Sequence, residues 1–158
     1  MKEQRRVYEQ EQTTGDAAVD GLLAGVGAGI ISAIYLVIVG LISGQTLAAV
    51  MGPFDPTQQG NVVVGSLVHL AVSGVYGVLF AVLYLWFGRR WSWANNRTWL
   101  FGLLYGLVLL LVAESAARAG IDTAFADMPM INTALFHLIY GLVLGLFLGR
   151  KRLAGVTQ

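Results

Sequence analysis

VVVGSLVHLAVSGVYGVLFAVLYLWFGRR, residues 62–90, holds no Lys, Arg, Asp or Glu until it ends on Arg89 and Arg90. Its uncharged part exceeds the roughly 20 residues that a helix needs to cross the hydrocarbon of a bilayer. No apolar–polar alternation marks it as a barrel strand, and unpaired backbone groups in lipid are too costly for anything but a helix. Working outward, three further apolar stretches of this kind run over residues 21–44, 98–119 and 131–149, so spans 21–44, 62–87, 98–119 and 131–149 make an all-α, integral membrane four-helix bundle. A polar tail, residues 1–20, precedes them and a basic tail, residues 150–158, follows.

The basic residues orient the bundle. Apart from Arg118, the ten Lys and Arg residues fall into three segments: Lys2, Arg5 and Arg6; Arg89, Arg90 and Arg97; Arg150, Lys151 and Arg152. Under the positive-inside rule both termini and the central connection are cytoplasmic, which places the protein in a bacterial inner membrane as a multi-pass chain. Trp86, Trp91, Trp93 and Trp99 flank the central basic connection, at the depth where amphipathic rings favour the headgroup layer. The other two connections, carrying Gly52-Pro53-Phe54-Asp55-Pro56 and Asp127-Met128-Pro129, are turn-forming, acidic and poor in Lys and Arg, as outward loops are. The first apolar run begins too late for a secretory signal and is expected to stay in the mature chain.

Composition agrees and removes several function classes. At 158 residues, 56% hydrophobic and only 12% charged, the chain is far below the charged fraction of about a quarter found in soluble domains. With no Cys, disulfides, thiolate metal sites and Cys nucleophiles are excluded. Basic residues sorted by side rather than gathered in a patch exclude nucleic acid as a partner. No phosphate loop, GxSxG elbow or paired acidic motif is present, so no catalytic residues are assigned and the protein reads as non-enzymatic.

Small residues recur at four-residue spacing: Gly21, Gly25, Gly29 and Ala33 in the first span; Gly65, Ser73, Gly77 and Ala81 in the second; Gly102 and Gly106 in the third; Thr133, Gly141, Gly145 and Gly149 in the fourth. Such faces let helix backbones approach closely where lipid removes the hydrophobic drive to associate; they serve either packing within the bundle or a partner helix. Tyr-Gly recurs at Tyr76-Gly77, Tyr105-Gly106 and Tyr140-Gly141, and a His with small residues following at four-residue steps recurs at His69 and His137. The recurrence reads as two duplicated helical hairpins related by an axis along the membrane normal. Two alignments compete: one superposes the histidines, the other superposes the Tyr-Gly pairs and offsets the histidines by a turn.

Ionisable side chains within spans mark function by default, and there are three: His69, His137 and Glu114. Counted from the loop ends of their spans they lie at similar depth, roughly 9–12 Å at 1.5 Å per residue. His69 and His137 are candidate ligands of haem b or a chlorin, which need an imidazole and small neighbours. With Glu114 they are candidate members of a proton or ion path. Metal binding is not expected, because neither HxxxH nor HExxH spacing occurs. The bland alternative is interhelical hydrogen bonding by the histidines and a helical ion pair between Glu114 and Arg118.

The opening Gly-Leu-Leu-Ala-Gly run (21–25), His69 with Ser73 and Tyr76-Gly77, Met128-Pro129, and Ala134-Leu135-Phe136-His137-Leu138-Ile139-Tyr140-Gly141 before a basic end resemble the YagU-like group of small four-helix bacterial inner-membrane proteins. The resemblance implies the same topology and draws attention to His69 and His137; it implies no activity. From the residues themselves, the expected role is an accessory, assembly or interaction subunit of a larger inner-membrane complex, in contact with lipid and with other membrane subunits or a second copy. A haem- or chlorin-binding electron-transfer or pigment subunit and a small proton or ion transporter are the alternatives.

Overall fold

A computed structural model describes residues 13–88, 97–121, 124–125 and 128–156, and among these the chain is helical with no strand. The elements are α1 (Thr14–Ile42), α2 (Leu47–Met51) with a 3-10 turn (Gly52–Phe54), α3 (Val62–Gly88), α4 (Thr98–Arg118) and α5 (Met130–Val156). Four of them, α1, α3, α4 and α5, are long and apolar enough to cross a membrane, and the protein is a multi-pass four-helix membrane bundle. The connections 43–61 and 119–129 mark one end, called here the loop end; the other is the basic end. The segments around Lys2, Arg5 and Arg6, around Arg89 and Arg90, and Trp91, Trp93 and Asp127 lie outside the described residues, as do the side chains of Lys151 and Arg152.

Helix limits follow from local chemistry. α1 begins ahead of the expected position 21 because Thr13 and Asp16 close a capping box: Asp16 N–H donates to Thr13 Oγ1 at 3.1 Å, and Thr13 N–H donates to Asp16 Oδ2 at 3.0 Å. At the loop end α1 and α4 stop the same way. Gly44 and Gly120 adopt positive φ, and the pairs Gln45 N→Gly40 O with Gly44 N→Leu41 O, and Ile121 N→Ala116 O with Gly120 N→Ala117 O, are Schellman bonds that satisfy the last carbonyls. The short α2 was not expected from sequence; Thr46 caps it by accepting from Ala49 N–H at 3.2 Å.

The bundle turns the water-soluble pattern inside out. In α1 the buried positions are mostly Gly, Ala and Ser, namely Gly21, Ala24, Gly25, Ala28, Gly29 and Ser32, while Leu23, Ile34, Ile38 and Leu41 point outward. Small residues inside and bulky aliphatics toward lipid are what close backbone packing in a membrane requires. α1 packs along α3, α4 packs along α5, and α1 also packs against α5.

Each hairpin closes through equivalent glycines. A Cβ on Gly21 would strike the Gly77 carbonyl and Ala81, and one on Gly25 would strike the Ser73 carbonyl and Gly77; in the second hairpin Gly102 meets the Gly141 carbonyl and Gly145, and Gly106 meets the His137 carbonyl and Gly141. Gly21 therefore corresponds to Gly102, Gly25 to Gly106 and Gly77 to Gly141. The Tyr-Gly alignment is the one these contacts obey. In this register the equivalent of His69 is Thr133 and the equivalent of His137 is Ser73, so the histidines do not occupy matching sites.

These contacts make a sharp stability prediction. Gly77→Ala and Gly141→Ala are expected to destabilise by similar amounts, about 1–3 kcal/mol each, because each new methyl meets backbone that cannot rotate away. Gly15→Ala, whose Cβ would have only an ordinary contact with Thr13, is expected to be neutral or slightly stabilising. Unfolding titrations of the three variants in one detergent check this; a neutral Gly141→Ala contradicts the packing.

Candidate functional site

Matched through these glycines, the hairpins would pair the α1–α5 contact with α4–α3, yet α3 and α4 barely touch. On the basic half the gap between them is filled by aromatic rings. Phe80 lies 5.1 Å from Tyr105 and Tyr84 lies 5.6 Å from Phe101, centroid to centroid. Tyr84 and Thr98 hydroxyls hydrogen-bond at 3.1 Å, and Tyr105 O–H donates to the Tyr76 carbonyl at 2.9 Å. Toward the loop end the facing residues shrink to Val72 on α3 and Val112, Ala113 and Ala116 on α4, and a cavity of about 250 Å³ remains. Val72, Tyr76 and Val112 at its rim are exposed, so the cleft opens sideways on the apolar surface of the bundle.

His69 and His137 both border this cleft. They are buried, with 5% and 6% of their surface exposed. His69 Nε2 lies 3.0 Å from the Gly29 carbonyl, reaching across to α1 over a position that has no side chain; Ser32 Oγ donates to the same oxygen. His137 Nδ1 lies 2.8 Å from the Thr133 carbonyl one turn back on α5. A carbonyl only accepts, so Nε2 carries the hydrogen in His69 and Nδ1 carries it in His137. In a neutral ring the remaining nitrogen, Nδ1 of His69 and Nε2 of His137, is a bare acceptor. Among the described residues Thr133 Oγ1 is the fully enclosed side-chain polar atom without a partner; the two free ring nitrogens retain accessible surface.

Three phenylalanines complete the site. Phe136 is 5.6 Å from the His69 ring and 5.1 Å from the His137 ring, standing in contact with both. Phe125 packs on His137 and Phe136, and Phe54 packs edge-on to His69 at 5.1 Å. On the basic side Tyr140 forms the floor, its hydroxyl donating to the Ser73 carbonyl at 2.6 Å and tying α5 to α3. Sequence reasoning found the histidines and passed over these rings; Phe136 beside His137, and Phe54 among loop prolines, were the available signals.

The loop holding Phe54 is organised by Asp55. Its carboxylate accepts from Asn61 N–H at 2.9 Å, from Thr57 N–H at 2.9 Å and from Thr57 Oγ1 at 2.7 Å. Asn61 in turn caps α3, accepting from Val63 and Val64 N–H. Gly65 lets the Met51 carbonyl lie directly on the first turn of α3, which seats α2 and the 3-10 turn over the cleft.

Of the residues singled out from sequence, His69 and His137 come together at one cavity. Glu114 is half-buried on α4, but the α4 residues facing the cleft are Leu109, Val112, Ala113 and Ala116. Gly21, Gly25, Gly29, Gly77, Gly102, Gly106, Gly141 and Gly145 make helix contacts within the chain, Gly65 meets the α2 segment, and Ser73 faces Gly29 and the cleft. Among the described residues no group of three His, Cys, Asp or Glu converges as a metal site. Comparison with protein families, characterised proteins and solved structures finds no match.

The Asp55 cage gives a pH prediction. The Asn61 amide first, then the Thr57 hydroxyl and amide, hold the Asp55 carboxyl below its ordinary value of 3.8. Because folding lowers this pKa, the contribution is complete above 3.8 and is lost as pH falls through the folded value. Exchange protection of the Thr57 and Asn61 amides is expected to collapse in that window, and Asp55→Asn to weaken it at neutral pH; protection unchanged in Asp55→Asn contradicts the assignment.

Proposed function

We propose that the protein is a non-enzymatic accessory component of the bacterial inner membrane, whose working part is the α3–α4 cleft, and that it holds there a group from the lipid phase for a larger membrane complex. The observation that carries this reading is the broken symmetry: α1 and α5 pack fully, whereas the equivalent α4 and α3 leave a cavity whose walls include both intramembrane histidines. Buried polar groups in lipid are costly and collect where something is bound or moved. The small-residue faces that suit a partner helix are occupied within the chain, which leaves the cleft as the distinctive surface.

The geometry favours binding over the alternatives. Cofactor and drug-sized ligands occupy pockets of roughly 300–1,000 Å³, so a cleft of about 250 Å³ is small for a haem or chlorin macrocycle. An ion path through His69, His137 and Glu114 is less favoured, because Glu114 does not line the cleft and most of its walls are Phe, Val, Leu and Ala, with Ser73, Tyr76 and Tyr140 as the other polar side chains.

Native mass spectrometry of the protein extracted with its own lipids tests the proposal. Wild type and Val108→Trp, altered at an exposed position off the cleft, are expected to retain a bound apolar molecule. Ala113→Trp, which fills the cleft, is expected to lose it. Equal retention in Ala113→Trp, or no bound species in wild type, overturns the reading.

A further inference from the structure

The cleft has a hydrogen-bonding character more specific than its apolar walls. Two imidazoles border it, each fixed by a backbone carbonyl in one tautomer, and in opposite senses. That arrangement leaves two bare acceptor nitrogens on rings that border one cleft, whose other polar side chains are Ser73, Tyr76 and Tyr140. Both nitrogens gain from a donor, and a ligand that brings only acceptors leaves them unpaired, which is the costly outcome in a dry site. Thus the preferred guest carries O–H or N–H groups and no cation is required of it.

The remaining walls define the guest's shape. Phe54, Phe125 and Phe136 present ring faces and edges around the two imidazoles, an environment suited to a flat aromatic ring in offset or edge-on contact. A volume of about 250 Å³ accommodates a single substituted ring rather than a fused macrocycle. The rim at Val72 and Val112 is open and apolar, so an attached hydrocarbon tail has a path from the cleft into the surrounding lipid.

We infer that the cleft is a binding site for the headgroup of a lipid-soluble para-hydroquinone, whose ring stacks among Phe54, Phe125 and Phe136 and whose two hydroxyls donate to Nδ1 of His69 and Nε2 of His137. This rests on the reading of the cleft as a lipid-phase binding site and adds the class of ligand. The oxidised quinone, which has carbonyls where the hydroquinone has donors, meets two acceptors and binds less well. Selectivity for the reduced form is therefore the signature of the site.

The test uses the full chain in nanodiscs under argon with three probes sharing one decyl tail: a para-hydroquinone, its quinone and an alkylbenzene lacking oxygen. Expected is roughly tenfold tighter binding of the hydroquinone than of either other probe, from two donated hydrogen bonds. His69→Ala and His137→Ala are each expected to lose about three- to tenfold of that affinity without changing alkylbenzene binding, and Ala113→Trp to abolish binding of all three. In ¹⁵N-histidine spectra the unprotonated nitrogen of each ring should shift on adding hydroquinone. Equal affinities for the three probes, still blocked by Ala113→Trp, overturn the hydroquinone assignment and leave the cleft as a general apolar site. Hydroquinone selectivity that survives Ala113→Trp and both histidine variants places the ligand elsewhere and also overturns it. No binding of any probe removes both this inference and the proposed function.

Discussion

Backbone-to-backbone contact at glycine is the constraint from which the rest of the architecture follows. Gly25 against Gly77 and Gly106 against Gly141 bring each helix pair as close as two backbones can come. In lipid, where apolar side chains gain nothing by leaving their solvent, such contact supplies the dispersion and carbonyl interactions that hold helices together. It also fixes register, since a Cβ at any of these positions meets a carbonyl or another glycine. Register then decides depth: with Gly77 and Gly141 equivalent, His69 and His137 fall one turn apart along their helices, yet both reach the same cavity from different walls.

Two hairpins built alike have not packed alike. α1 closes onto α5, and the equivalent closure of α4 onto α3 is held open on the loop half by the aromatic rings beneath it and by the loop seated above it. Phe80, Tyr84, Phe101 and Tyr105 act as a spacer; the Tyr105 hydroxyl, bonded to the Tyr76 carbonyl, pins that spacer to α3, and Tyr140, bonded to the Ser73 carbonyl, ties α5 to α3 above it. Beyond it, Ala113 and Ala116 are too short to reach across. Above, Asp55 folds the 55–61 turn so that Phe54 covers His69. The cavity is thus bounded by Tyr140 as floor and Phe54 as roof, with Val72, Tyr76 and Val112 at its mouth.

Much of this was legible in the chain. An uncharged run such as 62–87 has one stable form in lipid, so the span count followed from hydropathy, and the glycine spacing marked the faces that pack. What escaped has physical reasons. Hydropathy places the first span from 21, whereas the helix itself starts at Thr14, because the Thr13–Asp16 capping box extends it through polar residues that hydropathy discards. The short α2 depends on one hydroxyl, Thr46, in a connection with no periodicity long enough to read. The relation between the histidines was undecidable from spacing, because His69–His137 and Tyr76-Gly77–Tyr140-Gly141 propose registers one turn apart and only interhelical contact separates them. The site was half visible: ionisable residues in apolar runs stand out, whereas Phe54, Phe125 and Phe136 are commonplace residues whose meaning comes from convergence.

The register of the glycine contacts is the claim on which the cleft, the placement of both histidines and the broken symmetry all rest. Glycine-selective ¹³C labelling of the full chain in nanodiscs, with through-space correlation between α-protons, measures it directly. Cross-peaks joining Gly25 to Gly77 and Gly106 to Gly141 are the expected result; a Gly106 that correlates with neither Gly141 nor the His137 backbone, or a second hairpin shifted by one turn, contradicts the account.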